Sequence, residues 1–184
     1  MTTQAKLYTA DELWQLSSTA AEHRYELING ELIIVSPTGD IHTILASFFI
    51  YYLMAFVLPR DLGDVTGEIG GYQLSDDTVL APDVGFIAKG RLTQLSGKYI
   101  PFAPDLAIEI RSLGDTAIEI YDKVVLYFAH GTRLVWGVYP KSRTVHVYTS
   151  ATQVAILTID DVLNGGDVLP GFNLPVRDVF QRLG

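Results

Sequence analysis

The apolar and polar positions of this chain fall into short runs of period two, separated by longer runs with helical spacing. Arg24–Ile28 and Glu31–Val35 are apolar-rich runs on either side of Asn29-Gly30. Asn-Gly in that position predicts a β-hairpin, because both central residues of a type I′ turn need positive φ. Before it, Leu13, Trp14 and Leu16 give a short helix an apolar side, and Thr9 followed by Glu12 has capping-box spacing. After it, Ile41, Leu45, Phe48, Phe49, Tyr52, Leu53 and Phe56 recur as on a helix, with Asp40 placed to cap it and Pro59 to end it. The segment reads as a buried helix.

Beyond Pro59 the pattern turns to strands. Val65–Ile69, a bulged run at Tyr72–Leu74, and Val79–Ile87 interrupted by Pro82 are expected strands, the last at an edge or a bulge. Lys89–Phe102 is a polar loop, and Asp105–Ile110 has the pattern of a buried strand. A helix is expected from about Thr116 to Ala129, stopped by His130-Gly131. Arg133–Tyr139, Thr144–Tyr148 and Gln153–Leu157 follow as strands, then a turn-rich stretch from Asn164 to Pro170 and a terminal helix, Val176–Leu183. This order predicts an α/β (α+β) domain with one central mixed sheet rather than a βαβ repeat. No linker or repeat divides residues 1–184.

Composition narrows the picture. The 184 residues are 48% hydrophobic, which suits one domain with a real core. No uninterrupted apolar run reaches the ~20 residues that span a bilayer, so no membrane partner is expected. The first residues show no signal peptide, and the lack of cysteine excludes thiolate metal sites and suits a cytoplasmic protein. A net charge of −8 argues against non-specific coating of nucleic acid, but is compatible with acidic residues that hold metal ions.

Two acidic residues stand out. Strand alternation places Asp105, Ala107, Glu109 and Arg111 on one face and Leu106, Ile108 and Ile110 on the other. Glu109 is thus mid-strand between isoleucines, and Asp83 sits between Pro82 and the apolar Val84–Ile87 run. Carboxylates are seldom placed so unless paired or bound to a cation. On neighbouring strands they would form an oxygen-rich site for Mg²⁺ or Mn²⁺, with Lys123 at its margin to act on a water or a phosphate. The plainer alternative is a buried ion pair of Glu109 with Arg111, Arg133 or Lys123, and a helix-surface pair of Lys123 with Glu119.

The stretches Pro82–Ile87, Pro104–Ser112, Asp122–Gly131 and Leu134–Tyr148, with Tyr25–Leu32, Ser36-Pro37, His42 and Pro170–Phe172, resemble the Uma-type restriction endonuclease family, formerly a domain of unknown function. That family lies in the PD-(D/E)XK nuclease superfamily. The resemblance implies a restriction-endonuclease-like core, with Asp83 and Glu109 as catalytic acids and metal ligands. The superfamily's lysine normally stands two residues after the second acid, where this chain has Arg111. Lys123, on the following helix, takes that role by resemblance, with Arg111 as the substitute. Glu31 and His42 match recurrent family positions and are candidate supporting residues. Asp105 matches too but reads as structural, while Ser112 and Tyr127 are candidates for contacts behind the site.

These readings lead to an expected Mg²⁺- or Mn²⁺-dependent endonuclease that hydrolyses DNA phosphodiester bonds, with DNA contacts from Arg91, Lys98 and Arg111. By fold analogy it would be a homodimer, with Tyr139, Tyr148 and Phe172 available for an interface. The alternative is a catalytically inactive nuclease fold serving as a homo-oligomeric binding or regulatory module.

Overall fold

A computed structural model describes residues 6–19, 23–68, 70–112 and 117–183. The chain opens with helix α1 (Ala10–Thr19). Its capping box closes in both directions: the Thr9 amide donates to Glu12 Oε2 at 3.0 Å, and the Glu12 amide to Thr9 Oγ1 at 3.3 Å. Strands β1 (Arg24–Ile28) and β2 (Glu31–Val35) form the expected hairpin, and Asn29 and Gly30 both have positive φ, 50° and 83°. Helix α2 (Asp40–Val57) continues through a 3₁₀ turn, Leu58–Arg60, that contains Pro59.

Next come β3 (Gly63–Thr66), β4 (Tyr72–Ser75), β5 (Thr78–Leu80), β6 (Val84–Ala88) and β7 (Leu106–Ile110). The expected single strand over 79–87 is in fact two. It breaks at Ala81-Pro82-Asp83, where proline has no amide to donate, and the halves join different sheets. The end of the expected strand at Val65–Ile69 lies partly outside the described residues. Helix α3 (Ala117–Ala129) follows, its expected start at Thr116 also outside them. Strands β8 (Leu134–Tyr139), β9 (Thr144–Ser150) and β10 (Gln153–Leu157) are where the sequence puts them. The stretch expected as turns instead forms a hairpin, β11 (Val162–Gly165) with β12 (Leu169–Pro175), and the terminal helix α4 is short, Val176–Phe180.

The central sheet is six-stranded and mixed, in the order β10-β9-β8-β7-β6-β3, and β7 and β8 are its parallel pair. A smaller sheet, β2-β1-β5-β4, carries the N-terminal hairpin. Alternation along β7 divides the core. Leu106, Ile108 and Ile110 pack with Leu45, Phe49 and Leu53 of α2, while Ala107 packs with Ile120, Val124 and Tyr127 of α3. Glu109 has the parity of Ala107, which aims it at α3.

Two expectations are corrected here. Tyr139, Tyr148 and Phe172, suggested for an interface, are only 7%, 7% and 4% exposed and belong to the core. Helix α2 is not buried throughout: six of its 18 residues are buried, and the Asp40–Arg60 stretch is long and apolar enough, by length and composition, to cross a membrane.

Candidate active site

Register brings the two acids together. In the antiparallel β6–β7 pair Val84 faces Ile108, so the next position outward sets Asp83 opposite Glu109, with both side chains on one face. Asp83 lies just before β6, in the link that Pro82 breaks. It is fastened there because the Ile110 amide donates to its Oδ2 at 2.6 Å.

Helix α3 supplies the next layer. Lys123 and Tyr127 are four residues apart and so share a face. The Tyr127 hydroxyl donates to Glu109 Oε1 at 2.7 Å, and Lys123 Nζ donates to Glu109 Oε2 at 3.3 Å. The ammonium also reaches Glu26 on β1, at 2.9 Å. Glu26 is 4% exposed, and its Oε1 accepts a hydrogen bond from the Ala81 amide at 2.9 Å. One carboxylate thus holds both the lysine and the chain two residues before Asp83.

On the other side of Asp83, α2 contributes His42 from its first turn. His42 Nε2 lies 3.1 Å from Asp83 Oδ2, and Nδ1 lies 3.1 Å from Glu68 Oε1. The second contact lacks hydrogen-bond geometry, so these two buried atoms have no hydrogen-bond partner. Ligand atoms of His42, Glu68 and Asp83 lie within 4.8 Å of one another.

Charges follow from this packing. Burial, reinforced by Asp83 and Glu26, raises Glu109 to about 7, although Lys123 and Tyr127 pull the other way. For Lys123, burial opposes the charge, but Glu109 and Glu26 outweigh it and hold the pKa above the ordinary lysine value. Lys123 is therefore a cation and hydrogen-bond donor at neutral pH, not a proton acceptor. His42 shows the same balance: burial disfavours its charge, while Asp83 and then Glu68 raise its pKa. Tyr127 is raised well above the usual phenol, first by burial and then by Glu109 and Glu26.

Of the residues singled out in the sequence, the structure brings Asp83, Glu109, Lys123, His42 and, behind Glu109, Tyr127 into one cluster. Arg111 directly follows β7, half-buried, and its amide donates to Val138 O at 2.9 Å. Glu31 is exposed at the hairpin end of β2, and among the described residues no hydrogen bond or ion pair joins it to the cluster. Asp105 is structural, accepting from the Ala88 amide at 2.8 Å and from Arg91 Nη1 at 2.7 Å. Arg91, expected to face DNA, is thereby tied to Asp105 and also lies over the Phe102 ring. Lys98 is exposed and pairs with Asp11 at 3.9 Å.

Two cluster residues went unnoticed in the sequence. Glu26 has a faint signal, a carboxylate between Tyr25 and Leu27-Ile28 in a strand, but its partners are 55 and 97 residues away. Glu68 sits in a glycine-rich turn where acidic residues are unremarkable. The donor set fits a divalent cation: carboxylate oxygens suit Mg²⁺ and Mn²⁺, and the imidazole of His42 favours Mn²⁺ of the two. The unsatisfied His42 Nδ1 and Glu68 Oε1 are what such an ion would engage.

The family model described as "Uma2: Putative restriction endonuclease" matches residues 10–177 of the chain. Among solved structures, the chain is similar to "a putative nuclease belonging to DUF820" from Anabaena variabilis ATCC 29413. The TM-score is 0.80 and the identity 22%, over 94% of this chain and 97% of that one. At that identity the likeness speaks for the fold. The curated proteins contain no match to the chain.

Proposed function

The chain belongs to the family described as "Uma2: Putative restriction endonuclease", and from that premise we propose that it is a metal-dependent endonuclease hydrolysing DNA phosphodiester bonds. The observation that supports this most is the convergence of two carboxylates, Asp83 in the link before β6 and Glu109 on β7, with a lysine held in its charged form. Asp83 would hold the cation, together with Glu109 on one side and His42 and Glu68 on the other. The cation, when bound, supplies Lewis acidity at a phosphoryl oxygen and an acidified water.

The protein's own part is positioning and charge. Lys123, locked as an ammonium, donates hydrogen bonds to a non-bridging phosphate oxygen or to the attacking water, offsetting charge that builds in the transition state. Its placement depends on Glu26 and Glu109 together. Glu26 also anchors Ala81, which fixes the approach of the Asp83 link. Tyr127 holds Glu109 through one oxygen and leaves its Oε2 directed at Lys123.

Cleavage of supercoiled plasmid and of short duplexes, with Mg²⁺ or Mn²⁺ and with chelator, is the direct test. Metal-dependent cleavage lost in Asp83→Ala, Glu109→Ala and Lys123→Ala supports the reading. Cleavage that survives unchanged in Asp83→Ala and Glu109→Ala overturns it.

A further inference from the structure

The outer face of α2 carries a seam that the rest of the fold does not use. Ile41, Ile44, Phe48, Tyr51, Ala55 and Leu58 are spaced three and four residues alternately, the a/d spacing of a helix that packs along another helix. The inner face, with Leu45, Phe49, Leu53 and Val57, already packs on the sheet. The seam points away: Ile41, Ile44, Tyr51 and Leu58 are 42%, 43%, 65% and 57% exposed. From Ile41 to Pro59 there is no Asp, Glu, Lys or Arg, so the helix itself brings no charge to this exposed face of five turns. Along the helix itself charge appears only at the two ends, as exposed Asp40 and Arg60, and of opposite sign; Arg182, from beyond α4, borders the seam beside Ile44 and Phe48.

We propose that this seam is a self-association surface and that its occupant is α2 of a second copy of the chain, packed antiparallel about a two-fold axis. The antiparallel arrangement follows from the ends, because it sets Asp40 of each copy beside Arg60 of the other, whereas a parallel one would stack like charges. The side chains are self-complementary in that register. Ile41 meets Leu58, Phe48 meets Tyr51, and Ile44 meets Ala55, the small residue opposite a large one. A shallow depression beside Ala55, walled by Tyr51, Met54, Leu58 and Pro59, receives Ile44 of the partner copy. A second depression beside Ile44 and Phe48 lies in the other half of the seam. The two-fold pairs the halves, as an isologous interface requires. This inference is independent of the nuclease reading.

The test is sedimentation velocity with light scattering on the full chain, alongside thermal unfolding. The wild type is expected at twice 20.3 kDa at micromolar concentration. Tyr51→Glu and Ile44→Glu are each expected to raise the dimer dissociation constant by more than about tenfold. Both side chains are substantially exposed, so the far-UV spectrum should be preserved. Asp40→Arg should weaken the dimer, and adding Arg60→Asp should restore it. Because the chain has no cysteine, disulfide trapping reads the direction. Ile44→Cys mixed with Ala55→Cys should cross-link, and neither variant alone should. A wild type monomeric at every concentration overturns the proposal, as does a dimer indifferent to Tyr51→Glu. Self-cross-linking of Ile44→Cys overturns the antiparallel register. Binding of a monomeric wild type to phosphatidylcholine–phosphatidylglycerol vesicles, lost in Tyr51→Glu, would assign the seam to a membrane instead.

Discussion

Lys123 lies 2.9 Å from Glu26 and 3.3 Å from Glu109, so the carboxylate 97 residues away in the chain is the nearer of its two partners. An ammonium between two buried carboxylates cannot be removed without leaving them facing each other. Lys123→Met should therefore destabilise the protein by about 3–5 kcal/mol, the range for breaking a buried pair by removing one partner. Equilibrium urea unfolding measures this.

Glu26→Gln should cost less, about 1–3 kcal/mol, because the amide can still accept from Ala81 while Lys123 keeps Glu109. Its distinctive consequence is local. With one carboxylate gone, the lysine is held less firmly in its charged form, and its labelling by an amine-selective reagent should speed up relative to other lysines. Peptide-level mass spectrometry reads that rate. A positioning role for Glu26 fails if Lys123 labels at the wild-type rate.

Burial raises Glu109 from 4.5 to about 7. A carboxyl with a folded pKa above its unfolded value binds its proton more tightly in the native state. Its contribution to stability is full below the unfolded pKa and is lost as pH rises through the folded one. Metal-free wild type should accordingly lose stability between about pH 5 and about pH 8 relative to Glu109→Gln, which lacks the titration. Lys123, raised from 10.5, loses its contribution only at more alkaline pH, and His42, raised from 6.5, titrates in wild type and variant alike, so the difference between the two curves reports Glu109. Unfolding midpoints across the range test the sign: a wild-type curve parallel to that of Glu109→Gln would contradict it.

Manganese should bind the Asp83 side of the cluster. His42→Ala and Glu68→Gln are each expected to weaken Mn²⁺ binding by about 10–100-fold, a magnitude typical when the shell supporting a metal is disturbed. Titration calorimetry on the DNA-free protein gives the comparison, and equal affinities in all three proteins would remove His42 and Glu68 from the site.

Gly85 makes room on β6, the strand that follows Asp83. A Cβ there would stand 2.3 Å from the Tyr72 hydroxyl and 2.7 Å from Thr66 Oγ1, which are bonded to each other at 2.7 Å. Gly85→Ala should therefore cost about 1–3 kcal/mol, the range for overpacking. The shift in unfolding midpoint checks it.

Much of this protein is legible in its sequence because the signals are local. The Asn29-Gly30 turn, the Thr9–Glu12 capping box and the period-two run through β7 each depend on a few adjacent residues. So does the oddity of Glu109, since a carboxylate among isoleucines needs no tertiary structure to be conspicuous. Asp83 and Lys123 were within reach by the same route combined with family resemblance. What the sequence could not express was which long-range partner each charge would choose. Glu119 is the local candidate for Lys123, four residues away, yet the β1–β5 sheet delivers Glu26 to its ammonium. Pro82 marks an interruption, but only the assembled fold shows that it sends the chain from one sheet to another and so frees Asp83 to face Glu109. The apolar pattern of α2 identifies a helix but not which of its faces meets the core, because both are apolar; packing against Phe86, Leu106 and Ile108 decided that and left the Ile41–Leu58 seam outside. Local propensity is a property of neighbours in the chain, whereas a buried charge is assigned by whatever the fold brings within a few ångströms of it.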